Sequence, residues 1–564
     1  MLRSILRCGA LVGTLGLAAC DLEVLNENQP SREQIKTQVA DLENFLGTQY
    51  RRWHSALYGV TGNVWGMANV MSFENFSTLS NNCQGQRVGI PRPPNDNQVG
   101  NVCDGEQALV YNRMSEVARG MADVLRRMNE SGFTFGTAGQ DARNRAFAEF
   151  LRGVSMGYLA MVYDSAAAVS AADEVVGGTA VAEELAHYTV VLDSAFVALQ
   201  NALDASPGMM AVPPTWLASA AGAMAEPEFV RLVRSYRARL RANVARTPAE
   251  RDAVDWNAVI DDALNGITAD HRVVTNTVTG PTMTWVSQWY AYTTWHQMTP
   301  FIVGMGDVSG SYAVWISEPL DTRGSDAKFF MITPDLRFPQ GATRAEQQAD
   351  FTLAGDGTEE NPGCSGPGQT CERYFRNRDV ADPPASPNWG GSQYDHVRFY
   401  SWRTAGSGGT GNNGPFPFFT KAELDLLAAE GYIRIDNPAA ALPLVNNTRT
   451  ANGGLPALVS ADTVTAVPGG AAGCVPKRPV NAGHGGGGTV TCGTLWDALK
   501  WEKRIETAYT HFAAWFLDGR GWGDLPQGTP LDWAPPFQEL QARFRVGSQI
   551  YTPTATAGVS SYGW

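Results

Sequence analysis

Apolar residues in this chain recur at steps of three and four far more often than in strict alternation, the mark of amphipathic helices rather than half-buried strands. Over residues 31–58, Val39, Leu42, Phe45 and Leu46 share one face. The same stripe returns over 105–130 through Leu109, Met114, Val117, Met121, Val124 and Leu125, and over 139–163 through Phe147, Phe150, Leu151, Val154, Tyr158 and Leu159. Further stripes cover 181–204, 227–245, 255–267, 419–436, 438–449 and 494–517. The pattern predicts an all-α fold. Two couples, 227–245 with 255–267 and 419–436 with 438–449, are joined by short connections. They predict a scaffold of helical pairs of tetratricopeptide-like kind, although no clean period of about 34 residues runs through the chain.

Between the helices, the stretches 72–104, 206–226, 303–417 and 450–493 hold most of the Gly, Pro and Asn. Insertions of that length in a folded protein are functional or pinned by cross-links. Six cysteines fall inside them as sequence-local couples: Cys83 with Cys103, Cys364 with Cys371, and Cys474 with Cys492. Those pairings are the expected disulfides, although six cysteines permit about 15 arrangements. A zinc site is the weaker reading, because neither CxxC nor HExxH occurs.

The N-terminus has its own logic. Arg3 and Arg7 precede an apolar run from Ala10 to Ala19, and Leu17-Ala18-Ala19-Cys20 closes it. A basic start, a short apolar core and small residues before a cysteine read as an export signal. The segment resembles the lipobox of bacterial lipoproteins, which implies that residues 1–19 are removed and that Cys20 carries the lipid. Residues 20–30 then form a polar tether. Losing two arginines takes the net charge from −13 to −15, which disfavours nucleic acid as a partner. No later apolar run is long enough for a membrane span, so the lipid is the expected membrane anchor and the rest of the mature chain is expected to be soluble.

The order of segments resembles the SusD/RagB family of nutrient-binding lipoproteins. Asn26-Glu27-Asn28-Gln29-Pro30 is similar to the family's tether, and Asp41-Leu42-Glu43-Asn44-Phe45-Leu46 to its first helix. Ala146 to Gly153 with Tyr158 to Asp164, then Ser235 to Leu240 with Asp255 to Ala258, are similar to the helices that follow. Pro334-Asp335-Leu336-Arg337 approximates an Asp-Pro-Arg loop, with Leu336 in place of its proline. Lys421 to Tyr432, Ala440 to Arg449, Trp501 to Ala508 and Phe516 to Leu525 resemble the C-terminal motifs, Asp518 standing for a glutamate. The resemblance implies a SusD-like N-terminal helical region over 31–270 and a SusD/RagB-like C-terminal region over 271–564. It also implies that the protein is lipid-anchored in the outer membrane facing the cell surface, binds a nutrient, an oligosaccharide first and a peptide second, and hands it to a SusC-like TonB-dependent transporter.

The charged motifs have a physical reading of their own. Glu502 and Glu506 lie one helical turn apart beside Arg504, and Arg520 and Asp524 are also four apart, a spacing suited to ion pairs that clamp helices. A ligand surface calls for aromatic faces and side-chain amides. The candidates are Trp65, Phe73, Asn75, Asn81 and Asn82 after the first helix, and Trp289, Tyr290, Tyr312 and Trp315 in the densest aromatic run. Several of the latter step at helical intervals, so core positions compete with ligand contact. No cofactor or metal is expected; Asp356, Glu359, Glu360 and Asn361 are read as a solvated acidic loop rather than a calcium site.

Catalysis is not expected either. His484 and the glycines to Gly488 resemble an HGGG oxyanion loop, but they are read as a linker with no serine nucleophile elbow to accompany them. The competing readings are a helical scaffold for envelope partners and, behind it, a surface hydrolase with an unassigned carboxylate pair.

Overall fold

The computed structural model describes residues 39–58, 64–77, 87–90, 92, 95–97, 104–171, 175–176, 179–180, 184–276, 281, 296–323, 329–350, 373–378, 390–399, 414–481, 486–543 and 550–551. Its main helices are α1 (Val39–Tyr58), α2 (Val64–Met71), α3 (Asp104–Met128), α4 (Ala138–Val162), α5 (Tyr188–Asp204), α6 (Glu226–Asn243), α7 (Trp256–Leu264), α8 (Lys421–Arg434), α9 (Pro438–Ala451), α10 (Leu495–Thr507) and α11 (Ala514–Trp522). Local chemistry sets many of their starts. Thr137 caps α4 by accepting from Gln140 N, Asp255 caps α7 from Ala258 N, and Thr420 caps α8 from Glu423 N. At α10, Thr494 and Asp497 form a reciprocal capping box.

Helices pack as consecutive pairs: α3 with α4, α4 with α5, α6 with α7, and α8 with α9. The described strands form two-stranded sheets only. Those that matter here are β1 (His271–Thr275) with β2 (Gly414–Phe419), and β3 (Lys477–Val480) with β4 (Thr489–Cys492), both antiparallel. The expected all-α scaffold of helical pairs is thus observed. Trp53 of α1 marks its aromatic core, meeting Tyr158, Tyr236 and Phe418 edge-on at centroid distances of 5.2, 6.0 and 5.9 Å.

Two stripes end differently from their pattern. The segment 181–204 becomes helical only at Tyr188, because Leu185–His187 pairs with Ser165–Ala167. The single helix expected over 494–517 breaks into α10 and α11. Between them Tyr509 and Ala513 adopt left-handed backbone conformations, φ 59° and 55°. Distant hydrogen bonds hold this break: Tyr509 N donates to Glu74 Oε1 at 2.7 Å, Tyr509 Oη to the Glu74 carbonyl at 2.7 Å, and Phe512 N to Tyr58 Oη at 3.0 Å. Left-handed backbone at a non-glycine residue costs of order 1–3 kcal/mol, so tertiary bonds override the apolar period here.

Residues 46–564 form one compact unit; residues 1–45 are assigned to another, of which 39–45 are described as the start of α1. Buried ion pairs tie the part of the larger unit before residue 270 to the part after it. The Arg239 guanidinium donates to both oxygens of Glu423, at 2.7 and 2.6 Å, and to Tyr158 Oη at 3.1 Å, with Arg239 and Glu423 no more than 1% exposed. Because an unpaired buried charge is far worse than a pair, Glu423→Ala is expected to lower the unfolding free energy by about 3–5 kcal/mol in urea denaturation. The double substitution Arg239→Met/Glu423→Leu should restore most of that loss.

Candidate functional site

The aromatic residues proposed from sequence divide in two. Asn81, Asn82, Trp289 and Tyr290 lie outside the described residues, and Trp65 lies in α2. Phe73, Asn75, Tyr312 and Trp315 are at most 2% exposed. The two sequence segments do meet, but inside the protein. Phe73 stacks on Phe301 at 4.8 Å, Trp315 meets Phe301 edge-on at 4.9 Å, and Tyr312 Oη donates to the Phe301 carbonyl at 3.1 Å. Arg323 lies over the Trp315 ring at 4.7 Å. These residues face other side chains and not solvent, because each ring is more favourably placed against another ring than against water.

Glu74 sits between them with no exposed surface. Its Oε2 has no hydrogen-bond partner among the described residues, and burial pushes its carboxyl up to about 8 against the opposing bond from Tyr509 N.

The C-terminal motif residues are buried in ion-pair networks. Arg337 is clamped by Asp335 (2.9 and 2.7 Å), Glu502 (2.7 and 3.0 Å) and Glu506 (3.0 Å). Arg251 bridges Glu430 (2.9 and 2.7 Å) and Asp518 (3.0 Å), which Lys503 also joins. Burial opposes the charge on Glu430, yet Arg251, Lys503 and Arg434 hold its carboxyl well below the ordinary range. The pairing expected between Arg520 and Asp524 does not form. Arg520 instead donates to the carbonyls of Leu531, Met161 and Asn243, at 2.7, 2.7 and 2.8 Å, while Asp524 accepts from Lys500 and Arg504. Burial, and then the like charge of Arg246, lower Arg520 to about 9 against the opposing pull of Asp532 and Glu250.

The reading that no nucleophile elbow occurs needs one correction. Gly153-Val154-Ser155-Met156-Gly157 has its spacing. It lies in the middle of α4, however, with Ser155 fully buried, and its glycines serve close helix contact: a Cβ on Gly153 would meet Leu199 at 2.7 Å and one on Gly157 would meet Leu240 at 2.5 Å. His484, Asp356, Glu359, Glu360 and Asn361 lie outside the described residues. Among the described residues no group of three or more His, Cys, Asp or Glu is arranged to hold a metal, and no helix is long and apolar enough to cross a membrane.

An open cleft of about 400 Å³ lies elsewhere, at the start of α10. Trp496, Asp497 and Lys500 of α10, Trp522 of α11, Asp524 and Arg478 of β3 are among its lining residues. The two indoles are half-buried and meet edge-on at 6.2 Å. Trp522 is fixed from behind: its Nε1 donates to Glu430 Oε1 at 3.0 Å, and the ammonium groups of Lys500 and Lys503 lie 5.5 and 5.3 Å from its ring. The β3–β4 hairpin carrying Arg478 is closed by the Cys474–Cys492 disulfide, one of the three expected pairings, and Cys474 packs into the apolar cluster of Leu426, Val445 and Leu499. Cys83, Cys103, Cys364 and Cys371 lie outside the described residues, as does Cys20. Sequence reasoning missed this cleft. The signal was present in Trp496 and Lys500, one helical turn apart at the head of a capped helix.

No family model matches the chain, and no curated protein resembles it at a significant level. Solved structures do. A SusD superfamily protein from Parabacteroides distasonis matches with a TM-score of 0.55 at 11% identity, covering 90% of this chain and 99% of its own. A SusD superfamily protein from Bacteroides vulgatus matches at 0.46 and 13%, covering 87% of this chain and 89% of its own. A SusD-like carbohydrate binding protein from Bacteroides fragilis matches at 0.48 and 13%, covering 94% and 95%. The first of these gives the chain its fold class, which is SusD-like.

Two stability measurements test this anatomy. A carboxyl raised from 4.5 to about 8 favours the folded state while protonated, so its contribution is complete below pH 4.5 and is lost as pH rises to about 8. Glu74→Gln keeps the neutral form at every pH, so the variant should gain on the wild type across that window, by roughly 3–5 kcal/mol at its upper end. Denaturation midpoints from pH 4 to 9 read the difference. Separately, the Cys474–Cys492 bond closes a loop with a sequence separation of 18. Replacing both cysteines by serine should lower stability by about 3 kcal/mol, and limited proteolysis should then cut first within the β3–β4 hairpin.

Proposed function

We propose, from the SusD-like fold of this chain, that it is an outer-membrane lipoprotein that captures a nutrient, an oligosaccharide in the first place, and passes it to a SusC-like TonB-dependent transporter. The observation that carries this reading is the extent of the shared fold, 90% of this chain against 99% of the solved protein from Parabacteroides distasonis. The lipobox-like segment ending at Cys20 supplies the anchor, and the acidic net charge of −13 suits neutral ligands better than polyanions. The mechanism is capture on a rigid helical scaffold, with no bond made or broken. Ligand contacts proposed from sequence are Trp65, Asn81, Asn82, Trp289 and Tyr290; Phe73, Asn75, Tyr312 and Trp315 are buried.

The test uses the full-length lipoprotein, purified in detergent. Calorimetric titration with a panel of neutral and acidic oligosaccharides and peptides should give at least one saturable ligand that is recovered intact. Affinity purification from native membranes should recover a large TonB-dependent barrel. Release of new reducing ends would instead identify a hydrolase. Recovery of other envelope proteins, with no ligand bound, would identify a scaffold.

A further inference from the structure

We infer that the cleft between Trp496, Trp522 and Arg478 is a further binding subsite for a neutral sugar ring, carried by the helical scaffold. The inference rests on the nutrient-binding reading and assigns it a place.

Three observations support it. First, the cleft offers aromatic surface that is already held in position. Trp522 is hydrogen-bonded to Glu430, and Arg434 lies over the Trp496 ring at 5.1 Å, so little side-chain freedom remains to be lost when a ligand stacks there. Its volume of about 400 Å³ falls within the range of roughly 300–1,000 Å³ typical of small-molecule sites.

Second, two polar groups of opposite charge are left over. The capping box uses Asp497 Oδ2, which accepts from Thr494 N at 2.7 Å, and Oδ1 has no hydrogen bond among the described residues although the side chain is only 3% exposed. Arg478 is exposed, its side chain makes no hydrogen bond or ion pair among the described residues, and its charge acts at longer range on Asp497. Lys500 and Asp524, by contrast, satisfy one another at 2.7 Å.

Third, the charges on the wall balance, Arg478 and Lys500 against Asp497 and Asp524. An anionic ligand would gain from Arg478 and be repelled by Asp497, and a cation would meet the reverse. Adjacent hydroxyls of a sugar escape that conflict, since one donates to the carboxylate while its neighbour accepts from the guanidinium. The C–H face of the same ring covers an indole. The shared chemistry is that of an uncharged polyol with one apolar face.

The experiment titrates the full-length protein in detergent with neutral tetrasaccharides of glucose, mannose and galactose, with tetragalacturonate, and with dipeptides. Trp496→Ala and Arg478→Ala are compared with wild type, and Val197→Ala, at an exposed position of α5, serves as the control outside the cleft. Arg478 is exposed and bears no structural bond, so its variant folds even if the tryptophan variant does not. The expected result is binding of a neutral tetrasaccharide that weakens at least tenfold in Trp496→Ala and about fivefold in Arg478→Ala. Val197→Ala should bind like the wild type. Neutral-sugar binding that is equal in wild type and both cleft variants overturns the subsite and leaves the nutrient-binding reading standing. Preference for galacturonate or a dipeptide, lost in Arg478→Ala, overturns the neutral class. Absence of binding by the wild type to every ligand overturns both readings together.

Discussion

The guanidinium of Arg337 lies where no solvent reaches it, and its charge is tolerable only because Asp335, Glu502 and Glu506 surround it. Three carboxylates around one cation would repel one another, so the cluster draws on further donors. Trp501 Nε1 donates to Asp335 at 3.0 Å, Thr448 Oγ1 to Glu502 at 2.9 Å and Asn452 Nδ2 to Glu506 at 3.0 Å. Arg398 closes on Glu506 at 3.4 Å. Desolvating each charge costs several kcal/mol, and only complete hydrogen bonding with good geometry returns that energy. The consequence is positional. One loop and two helices, the 335–337 segment with α9 and α10, are held by bonds that tolerate little displacement.

A second cluster does the same for the other side of α10. Glu430 of α8 receives Arg251, Lys503, Arg434 and the Trp522 indole, and Asp518 of α11 shares Arg251 and Lys503. Helix α10 therefore presents Glu502 and Glu506 to one cluster and Lys503 to the other, with Lys500 and Arg504 turned to Asp524. Its head, where Trp496 and Asp497 stand, inherits that rigidity. The disulfide-closed hairpin brings Arg478 to the same place from the opposite direction. A surface on such a frame keeps its shape without help from a ligand, so little ordering would remain to oppose binding.

Much of this was legible in the residues. Apolar spacing placed nearly every helix within a few residues, and the charged motifs from Trp501 to Asp524 were readable as clamps because four-residue spacing joins one helix face. Their partners were not readable. Arg337 reaches Glu502 across a sequence separation of 165, and no local period encodes that. The break after Thr507 was hidden for the same reason, since it is held by Glu74 from the far end of the chain. The aromatic run was legible in kind but not in orientation: Tyr312 and Trp315 fit a ligand surface as well as they fit a core, and only tertiary contact with Phe301 distinguishes the two. The cleft escaped because its chemistry is assembled from three elements, none of which is dense in aromatics on its own.

Buried acids in a protein of this kind invite a catalytic reading, and the physics of each argues against it. A general acid needs a raised pKa together with access to the group it protonates. Glu74 has the first and lacks the second, since it is sealed beneath Tyr509 and held by the backbone of the loop it anchors. Glu430 lacks both: four donors fix it as an anion, and lowering its pKa makes it a poorer acid. Arg520 donates to three backbone carbonyls from three separate segments and is 1% exposed, so its guanidinium is turned into the scaffold and not toward an oxyanion. In each case the perturbation traces to helix-to-helix attachment. The same burial that shifts these three groups also removes them from solvent, so their charges hold the scaffold together.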